Sequence, residues 1–594
     1  MFELDRKISE GTEGIANDTA HFNGSLEEII QGTEGTLSTE DLQDPSSFKL
    51  EAISPHHVPP EISAEPEIKR PGFMVYDDWF LIEGHQKQPG LYWHGFTGGQ
   101  EPKPIDIWVC SPIHSDAISA DELNESFGLL LRFIQPFGTW REWAMPMHLL
   151  RGNGDEMRGE LLNLGVKINL DAKKYLNNWL MQQNPQCRIT AASSTGWHSD
   201  GQSFVMPNKT IGGANVRFQS EYAAHNDFIQ KGDLRSWREQ VALRCSGNPI
   251  LLLSVSAAFA APLLLKAKQQ TAGGGGIHLI GKSSHGKTTA LQVAASVWGG
   301  PNYVRTWRAT ANGLEATAAA LNDSLLVLDE ISECDPREIG AIIYALANGQ
   351  GKQRAKRNGG ARDSFRWRTI ILSSGERTLS AHMQEVGQKI KAGQEVRLLN
   401  IPATDRTYGV FDNLHGLSDG RAFADSMKQA TSLFYGSSGP AFIENLLKDK
   451  DSFPEIYAEF CDLFPTSDGV ESRAAGLFAL IALAGEKATE YGLTGWQEGE
   501  ALNAILELFN SWRNFRGQGQ TETRQILQGI RHFIDRHGDS RFSGLEQARA
   551  TYQGDNIDQR PVVRDRAGYW KDTQQGRFTY LIHQHSKKRP RDLI

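Results

Sequence analysis

The residues from Gly281 to Thr288 have the types and the spacing of a loop that binds phosphate. They read GKSSHGKT, fit the pattern G-x-x-x-x-G-K-[ST], and lie between a short apolar run and a predicted helix. The two glycines let the backbone turn tightly and bring its N–H groups close to phosphate oxygens. Lys287 offers a positive charge to the β- and γ-phosphates, and Thr288 offers a hydroxyl ligand to Mg²⁺. The sequence therefore predicts binding of ATP with Mg²⁺.

The helix that follows this loop points its positive end at the same anion. We expect the nucleotide to contact backbone and side-chain atoms throughout the loop. The predicted nucleotide-binding residues are Gly281, Ser283, Ser284, His285, Gly286, Lys287, Thr288 and Thr289.

Two acids follow a buried apolar run, Leu325 to Leu328, about 40 residues after the loop. In parallel sheets ligands lie at the carboxyl ends of the strands, so both acids are expected near the nucleotide. Asp329 is predicted to hold Mg²⁺. Glu330 is predicted to orient and deprotonate the attacking water. Because adjacent residues of a strand point to opposite sides, the two acids can have different roles. Together with the loop they predict ATP hydrolysis.

Polar residues and two arginines complete the candidate catalytic groups. Ser373 and Ser374 end the next apolar strand, where one of them, Ser374 in the first place, contacts the γ-phosphate or the water; the alternative is a helix cap or a turn serine. Ring ATPases often use an arginine from a neighbouring subunit to stabilise the transition state. Arg397 is the first candidate for that role and Arg377 is the second. The alternative for both arginines is a surface salt bridge.

The segment 351–368 holds seven basic residues and one acid, with a Gly359-Gly360 turn in the middle. This density of charge favours a hairpin that contacts nucleic-acid phosphates, facing the central pore if the chain forms a ring. The alternatives are a solvated loop or contact with the ATP of a neighbour. The basic residues are Lys352, Arg354, Lys356, Arg357, Arg362, Arg366 and Arg368, and the first four are the predicted nucleic-acid contacts.

The chain of 594 residues is long enough for several domains. We predict an acidic, disordered tail over 1–70, which holds 15 acids and 5 bases and accounts for the overall charge of −9. An α+β domain follows over 71–230, and its first half, 71–145, is predicted to be a β-meander of short antiparallel strands. A nucleotide-binding domain with a parallel sheet follows over 231–410, with a helix expected from about Asp233 to Cys245 and a strand over 302–307. The part over 411–594 is predicted to be mainly helical, and 520–590 is either a winged helix or a plain hairpin on helices.

The cysteines and the hydropathy of the chain indicate the cellular compartment in which the protein works. The five cysteines are far apart without a C-x-x-C pair, so neither a zinc site nor a disulfide framework is predicted. The N-terminus has no signal pattern, and a cytoplasmic protein is expected. The apolar run Pro249 to Leu265 predicts a buried helix, with a membrane span as the alternative. Gly273 to Gly276 is interpreted as a linker, and Asn312 as the cap of a helix that ends at Leu321.

Several short stretches together resemble the family of the domain of unknown function 927, found in replication ATPases of prophages, plasmids and chromosomal cassettes. The resemblance runs from about Pro71 to Pro402. It rests on Trp108 to Pro112, Ser194 to His198, Gly281 to Thr288, Leu326 to Glu330, Asn348 to Lys352, Ser373 to Glu376 and Gly393 to Leu398. Members are similar to AAA+ self-loading helicases of mobile elements, which implies DNA unwinding by a hexamer. Many relatives carry a primase-type module upstream, for which residues 1–70 are too short and acidic.

The predicted fold is α/β: a P-loop AAA+ core with a parallel sheet, preceded by an α+β domain and followed by a mainly helical domain. The predicted function is an ATP-driven DNA helicase or translocase of a mobile genetic element, a homo-oligomer that favours single-stranded DNA. The first alternative is an ATPase switch that binds DNA without separating strands, such as a loader or a defence sensor. The second is an adaptor that uses ATP only to stabilise assembly, against which an intact Glu330 argues. A small-molecule kinase has no use for the basic hairpin.

Overall fold

The structure is a computed structural model. It describes residues 66–516, except for 200, 214, 222–226, 269–273, 356–360, 363 and 389, and shorter stretches between 530 and 581. Residues 1–65 of the predicted acidic tail lie outside the described residues. So do Lys356 and Arg357, two of the four predicted nucleic-acid contacts. The predicted domain boundaries near residues 230 and 410 stay predictions.

The first part of the chain is a set of small sheets with two helices. Its strands are β1 (Gly72–Tyr76), β2 (Phe80–Ile82), β3 (His85–Lys87), β4 (Gly90–Phe96), β5 (Pro104–Cys110), β6 (Ile113–Ala120), β7 (Gly128–Ile134), β8 (Trp140–Pro146), β9 (Arg188–Ala192), β10 (Gly196–Trp197), β11 (Ser203–Val205), β12 (Thr210–Gly212) and β13 (Val216–Phe218). The helices are α1 (Asp155–Asn163) and α2 (Lys173–Gln182).

The predicted run of short antiparallel strands is present, but it is divided between two sheets. One sheet has the order β1-β4-β5, and the other has the mixed order β13-β9-β6-β7-β8, in which β9 runs parallel to β6 and β13. The chain leaves the first sheet at Ser111, whose N–H donates to the carbonyl of Lys167 at 2.9 Å. Since Pro112 has no N–H to donate, the ladder ends here and a second sheet begins.

A helical segment joins these sheets to the next part of the chain. We predicted one helix from about Asp233 to Cys245; the structure instead has α3 (Leu234–Trp237), a π-helical turn over Arg238–Ala242 and a 3-10 turn over Leu243–Cys245. The following helix, α4 (Pro249–Lys266), matches the predicted apolar helix. Among the described residues it is the one helix long and apolar enough to cross a bilayer, and 83% of it is buried inside the protein.

A five-stranded parallel sheet forms the centre of the molecule, with the order β15-β16-β19-β14-β20. Its strands are β14 (Gly274–Ile280), β15 (Arg305–Thr306), β16 (Ser324–Asp329), β19 (Thr369–Gly375) and β20 (Leu398–Pro402). Between them lie α5 (Lys287–Ala295), α6 (Ala311–Ala320), α7 (Ile339–Asn348), the hairpin strands β17 (Arg354–Ala355) and β18 (Ala361–Arg362), α8 (Leu379–Gln384) and α9 (Ala392–Glu395). The predicted parallel sheet between helices is thus present.

The predicted glycine linker is wrong, because Gly274–Gly276 is the buried beginning of β14. These glycines pair with Thr369, Ile370 and Ile371 of β19. A Cβ atom at Gly276 would lie 2.8 Å from side-chain atoms of both Ile371 and Leu398, so a larger residue does not fit between the flanking strands. The glycines therefore serve close packing and not flexibility.

Two further element boundaries differ from the prediction. Helix α6 begins one residue before Asn312, and Thr310 is the cap, because its hydroxyl accepts the N–H of Gly313 at 3.2 Å. The strand predicted over 302–307 is only the pair β15, since Pro301–Tyr303 forms a 3-10 turn. Both differences follow from local turns that the apolar pattern does not report.

The last part of the chain is mainly helical, as predicted. The helices are α10 (Gly420–Leu433), α11 (Ser438–Lys448), α12 (Phe453–Asp462), α13 (Gly469–Glu490) and α14 (Glu500–Arg516). After them come β21 (Phe542–Gly544), β22 (Ala550–Tyr552), β23 (Asp555–Ile557), β24 (Gly568–Thr573) and β25 (Gly576–Leu581). Strands β24 and β25 form the predicted terminal hairpin, and β21 pairs with β24 in parallel. Whether this is a winged helix stays a prediction.

Candidate nucleotide-binding site

The predicted phosphate loop connects the carboxyl end of β14 to the first turn of α5. Gly286 has φ of 93°, in the left-handed region that favours glycine, and a Cβ there would lie 2.7 Å from Val410. A Cβ at Gly281 would lie 2.1 Å from the hydroxyl oxygen of Thr404. Both glycines of the motif are therefore required by close packing as well as by the turn.

The loop has backbone donors that are not used among the described residues. Within the described part of the chain, the N–H groups of Ser283, Ser284, His285 and Gly286 make no hydrogen bond. A row of such N–H groups before a helix is suited to an anion. This donor set fits the phosphate groups of a nucleotide. Thr289, also a predicted contact, is buried in α5.

Lys287 is largely buried and lies over the loop. Its Nζ donates to the carbonyl of Gly281 at 2.8 Å and to that of Lys282 at 2.7 Å. Burial lowers the pKa of Lys287 below its ordinary value, while the carboxylates of Glu330 and Glu376 act in the opposite direction. A phosphate in the loop would further favour the charged ammonium.

Three predicted residues come together at the carboxyl edge of the sheet. The Thr288 hydroxyl donates to Asp329 Oδ2 at 3.0 Å, and the Ser374 hydroxyl donates to Asp329 Oδ1. These contacts join the loop, β16 and β19. A hydroxyl beside a carboxylate is a donor set that suits Mg²⁺, which prefers oxygen ligands. The arrangement thus fits the metal predicted from the sequence.

Glu330 follows Asp329 in a left-handed backbone conformation, with φ of 56° and ψ of 83°. A non-glycine residue in this region is uncommon and marks a position held by its surroundings. Its carboxylate accepts the hydroxyl of Ser332 at 2.6 Å, and its N–H donates to Asp329 Oδ1 at 3.1 Å. The side chains of the two neighbouring acids have different partners, since Asp329 contacts Thr288 and Ser374 while Glu330 contacts Ser332; their catalytic roles stay predictions.

A second loop supports the phosphate loop, and the sequence pattern did not identify it. The Thr404 hydroxyl accepts the N–H of Lys282 at 3.1 Å, and the N–H of Val410 donates to the carbonyl of His285 at 3.0 Å. Gly409 has φ of 82° and lies against His285. Gly409 is the one residue of this segment whose type could have marked a tight turn in the sequence. The segment follows β20, which neighbours β14, so its contacts depend on sheet order.

A buried polar chain lies behind the loop, and it includes Ser373, which was predicted as a possible contact of the γ-phosphate or the water; His278 and Trp307 were not predicted. His278 of β14 is fully buried; its Nε2 lies 2.9 Å from the carbonyl of Arg377 and its Nδ1 lies 3.0 Å from the Ser373 hydroxyl. Because a carbonyl can only accept, Nε2 carries the proton and Nδ1 accepts from Ser373. Ser373 in turn accepts the indole N–H of Trp307 at 2.8 Å. Burial lowers the pKa of His278 to about 4, so the ring is neutral near pH 7. This chain fixes the backbone that follows Ser374.

The two candidate arginines lie at opposite ends of the sheet. Arg377 follows the carboxyl end of β19, on the side of the phosphate loop, and pairs with Glu385. Arg397 precedes the amino end of β20, away from that loop. Its guanidinium donates to Asn348 Oδ1 at 2.9 and 3.1 Å and lies 4.2 Å from the ring centroid of Tyr344. A catalytic Arg397 would therefore have to act on the nucleotide of another subunit.

The basic segment forms a hairpin at the end of the sheet opposite to the phosphate loop. Its stem pairs Gln350 with Arg366 and Arg354 with Arg362, and the indole N–H of Trp367 anchors it to the Leu346 carbonyl at 2.9 Å. Arg368 does not belong to the exposed charge, because its guanidinium binds both oxygens of buried Asp323 at 2.7 and 2.8 Å.

Another acidic group of the described chain does not suit a metal. Oxygen atoms of Asp449, Asp451 and Glu490 lie within 4.8 Å of one another. The ammonium of Lys487 is 3.1 Å from Asp449 and 2.9 Å from Glu490, and it also contacts Asp451. The lysine takes the place that a cation would need, so the group is a structural ion pair.

One family model matches part of the chain. It is described as "Domain of unknown function (DUF927)" and matches residues 83–366. This confirms the resemblance, and the match lies within the stretch from Pro71 to Pro402 on which the resemblance rested. It includes the phosphate loop, Asp329 and Glu330. Ser374 and Arg397 lie beyond it.

A solved structure has a similar fold along most of the chain. It is described as "SCCmec type IV Cch - active helicase" and has a TM-score of 0.60. The similarity covers 83% of this chain and 87% of that chain, with 18% identical residues. At this identity the similarity shows a shared fold. A comparison with curated proteins gives no match.

Proposed function

We propose that this chain is a cytoplasmic P-loop ATPase of the AAA+ type that works as a DNA helicase or translocase of a mobile genetic element. One observation carries the proposal: Thr288, Asp329 and Ser374 meet beside the phosphate loop, while a basic hairpin extends from the opposite end of the same sheet. A nucleotide site and a nucleic-acid site at two ends of one rigid sheet suit a motor. The fold shared with a protein described as an active helicase supports this proposal.

In this proposal the residues of the site divide the work of ATP hydrolysis. The loop N–H groups and the Lys287 ammonium would hold the phosphates, and Thr288 with Asp329 would hold Mg²⁺. Glu330 takes a proton from the attacking water, and Ser374 orients Asp329 through its hydrogen bond. Bound ATP with Mg²⁺ supplies the phosphoanhydride bond whose hydrolysis drives movement. The buried His278 chain keeps the strand ends in register while this occurs.

The backbone of the hairpin supports contact with a polyanion. The backbone register of the stem pairs Arg354 with Arg362, within a segment of seven basic residues and one acid. Lys352 is exposed at its base, where its N–H donates to Glu315 at 3.3 Å. Phosphates of a nucleic-acid strand would balance these charges. We propose that Lys356 and Arg357, which lie outside the described residues, bind the same nucleic-acid strand.

One experiment tests the function and separates it from a switch that does not unwind DNA. ATP hydrolysis is measured with and without single-stranded DNA, beside strand displacement of a forked duplex. We expect hydrolysis, its stimulation by DNA, and displacement, all lost in Lys287→Ala because that variant cannot hold the phosphates. Stimulated hydrolysis without displacement would favour the switch. Absence of hydrolysis in the unaltered chain would contradict the proposal.

We further propose a ring, probed through Arg397. Because this residue lies away from its own phosphate loop, its catalytic role requires a neighbouring subunit. Arg397→Ala and Lys287→Ala are each expected to be inactive. Mixing the two should restore part of the activity, since some interfaces then pair an intact loop with an intact arginine. Mixed assemblies that form, as judged by pull-down of a tagged subunit, and yet stay inactive would count against the role.

A further inference from the structure

A groove of about 870 Å³ opens on the five-stranded mixed sheet in the first part of the chain. Alternate residues of β7, such as Leu129 and Leu131, pack into the core shared with α1 and α2. The residues that alternate with them along the strand, Leu130 and Arg132, line the groove on the other face of the sheet. The loop from Met206 to Thr210 forms a second wall. The groove belongs to neither the nucleotide site nor the basic hairpin.

Aromatic side chains stand exposed at this groove. Trp140, in its lining, is 41% exposed, and Phe137, in the adjoining turn, is 97% exposed. That turn is held closed, since the N–H of Gly138 donates to the carbonyl of Gln135 at 2.9 Å. The guanidinium carbon of Arg132 lies 4.6 Å from the Trp140 ring centroid and orients that ring. Phe137, almost fully exposed on this closed turn, has no packing role among the described residues.

The charges of the groove are predominantly positive. Arg132 pairs with Asp116 at 2.6 Å and Arg217 pairs with Glu142 at 3.2 Å. Arg141 lines the same groove, and in the described chain it has no ion pair. The lining also contains Lys209, which is exposed and likewise without an ion pair among the described residues. Two cations therefore remain available to an anionic ligand.

We propose that this groove binds single-stranded nucleic acid. Flat aromatic side chains stack on unpaired bases without regard to sequence, and neighbouring cations hold the phosphates between those bases. A base-paired duplex does not expose its base faces, so it cannot use Phe137 and Trp140 in this way. An acidic peptide would use the cations alone and leave the aromatic side chains unused. The inference goes beyond the proposed function, because binding here requires neither ATP nor the hairpin.

The first test is binding of a fluorescent 20-nucleotide thymidine strand, and of its uridine counterpart, to the full chain without ATP. Phe137→Ala should weaken binding about fivefold or more, the effect of losing one stacked base. Arg141→Glu with Lys209→Glu should flatten the plot of log affinity against log salt by about 1.4, because each contact with a single strand contributes about 0.7. Lys173→Glu, an exposed residue at the start of α2, is the control and should change neither.

The second test is photochemical crosslinking of a strand that carries 5-iodo-deoxyuridine. We expect the attached base on the peptide that contains Phe137 and Trp140. Both tests are repeated with Lys352→Glu and Arg354→Glu, so that binding at the groove is distinguished from binding at the hairpin. If the groove variants change neither the affinity for the strand, nor its salt dependence, nor the position of the crosslinks, the proposal is wrong. It is equally wrong if Phe137→Ala changes only the oligomeric mass, or if zero-length crosslinks join Lys209 to acids of residues 1–65 at saturating nucleic acid.

Discussion

We expect Glu330→Gln to keep nucleotide binding and to lose about two orders of magnitude or more in ATP turnover, the effect of removing a general base. Glutamine has the shape of glutamate, and its carbonyl oxygen can still accept the Ser332 hydroxyl that lies 2.6 Å from the native carboxylate. The left-handed backbone at this position is therefore retained. What the variant loses is the ability to accept a proton from water. Single-turnover hydrolysis and binding of a fluorescent ATP analogue measure the two quantities separately.

Two further variants make the result specific. Glu333→Gln removes an exposed acid three residues away and should leave turnover unchanged. Ser332→Ala removes the hydrogen bond but keeps the acid, so it should retain far more activity than Glu330→Gln. Normal turnover in Glu330→Gln would show that another group activates the water, and a loss of nucleotide binding would show that Glu330 holds the site together.

Sequence predicted those parts of the site whose functional residues lie close together along the chain. The loop from Gly281 to Thr288 carries its glycines, lysine and hydroxyl within eight residues, so the pattern alone specifies the turn. An apolar strand that ends in acids places Asp329 at the same edge of the sheet as that loop. The meeting of Thr288 with Asp329 at 3.0 Å follows from these two local patterns and the parallel order of the strands.

The parts that sequence did not predict depend on contacts between distant segments. Thr404 supports Lys282 because β20 neighbours β14, a pairing that no local signal reports. The His278 chain needs Trp307 and Ser373 on two other segments of the sheet. A single histidine in an apolar strand has many interpretations until its partners are known. Sheet order, and not residue type, decides these roles.

Composition was also misleading where packing governs the residue type. Glycines 274–276 have the composition of a linker, but at Gly274 and Gly276 the flanking strands approach so closely that a larger residue does not fit. Arg368 adds to the apparent charge of the basic segment, although buried Asp323 requires it. Burial raises the pKa of Asp323, and the bidentate arginine opposes that shift by favouring the carboxylate. The charge that the hairpin can offer to a ligand therefore does not include Arg368.

The basic residues of the hairpin other than Arg368 are therefore the ones to change. Their substitution distinguishes a motor that moves on DNA from an ATPase that does not bind it. We expect Lys352→Glu with Arg354→Glu to leave basal ATP hydrolysis nearly intact. The stem lies at the amino end of β19, the full length of the sheet away from the phosphate loop, so it does not touch the nucleotide of its own subunit. Stimulation by single-stranded DNA should be abolished. Each lost phosphate contact should lower the salt slope of binding by about 0.7 for a single strand.

The matched control reverses two exposed charges elsewhere, with Arg421→Glu and Lys428→Glu on α10. It has the same change in net charge, so any general electrostatic effect appears in both proteins. We expect the control to keep its stimulation by DNA. If instead basal hydrolysis collapses in the hairpin variant while DNA binding survives, the hairpin serves the nucleotide of a neighbouring subunit. The helicase proposal then loses its main support, because the hairpin would not couple the nucleic-acid strand to the ATP cycle.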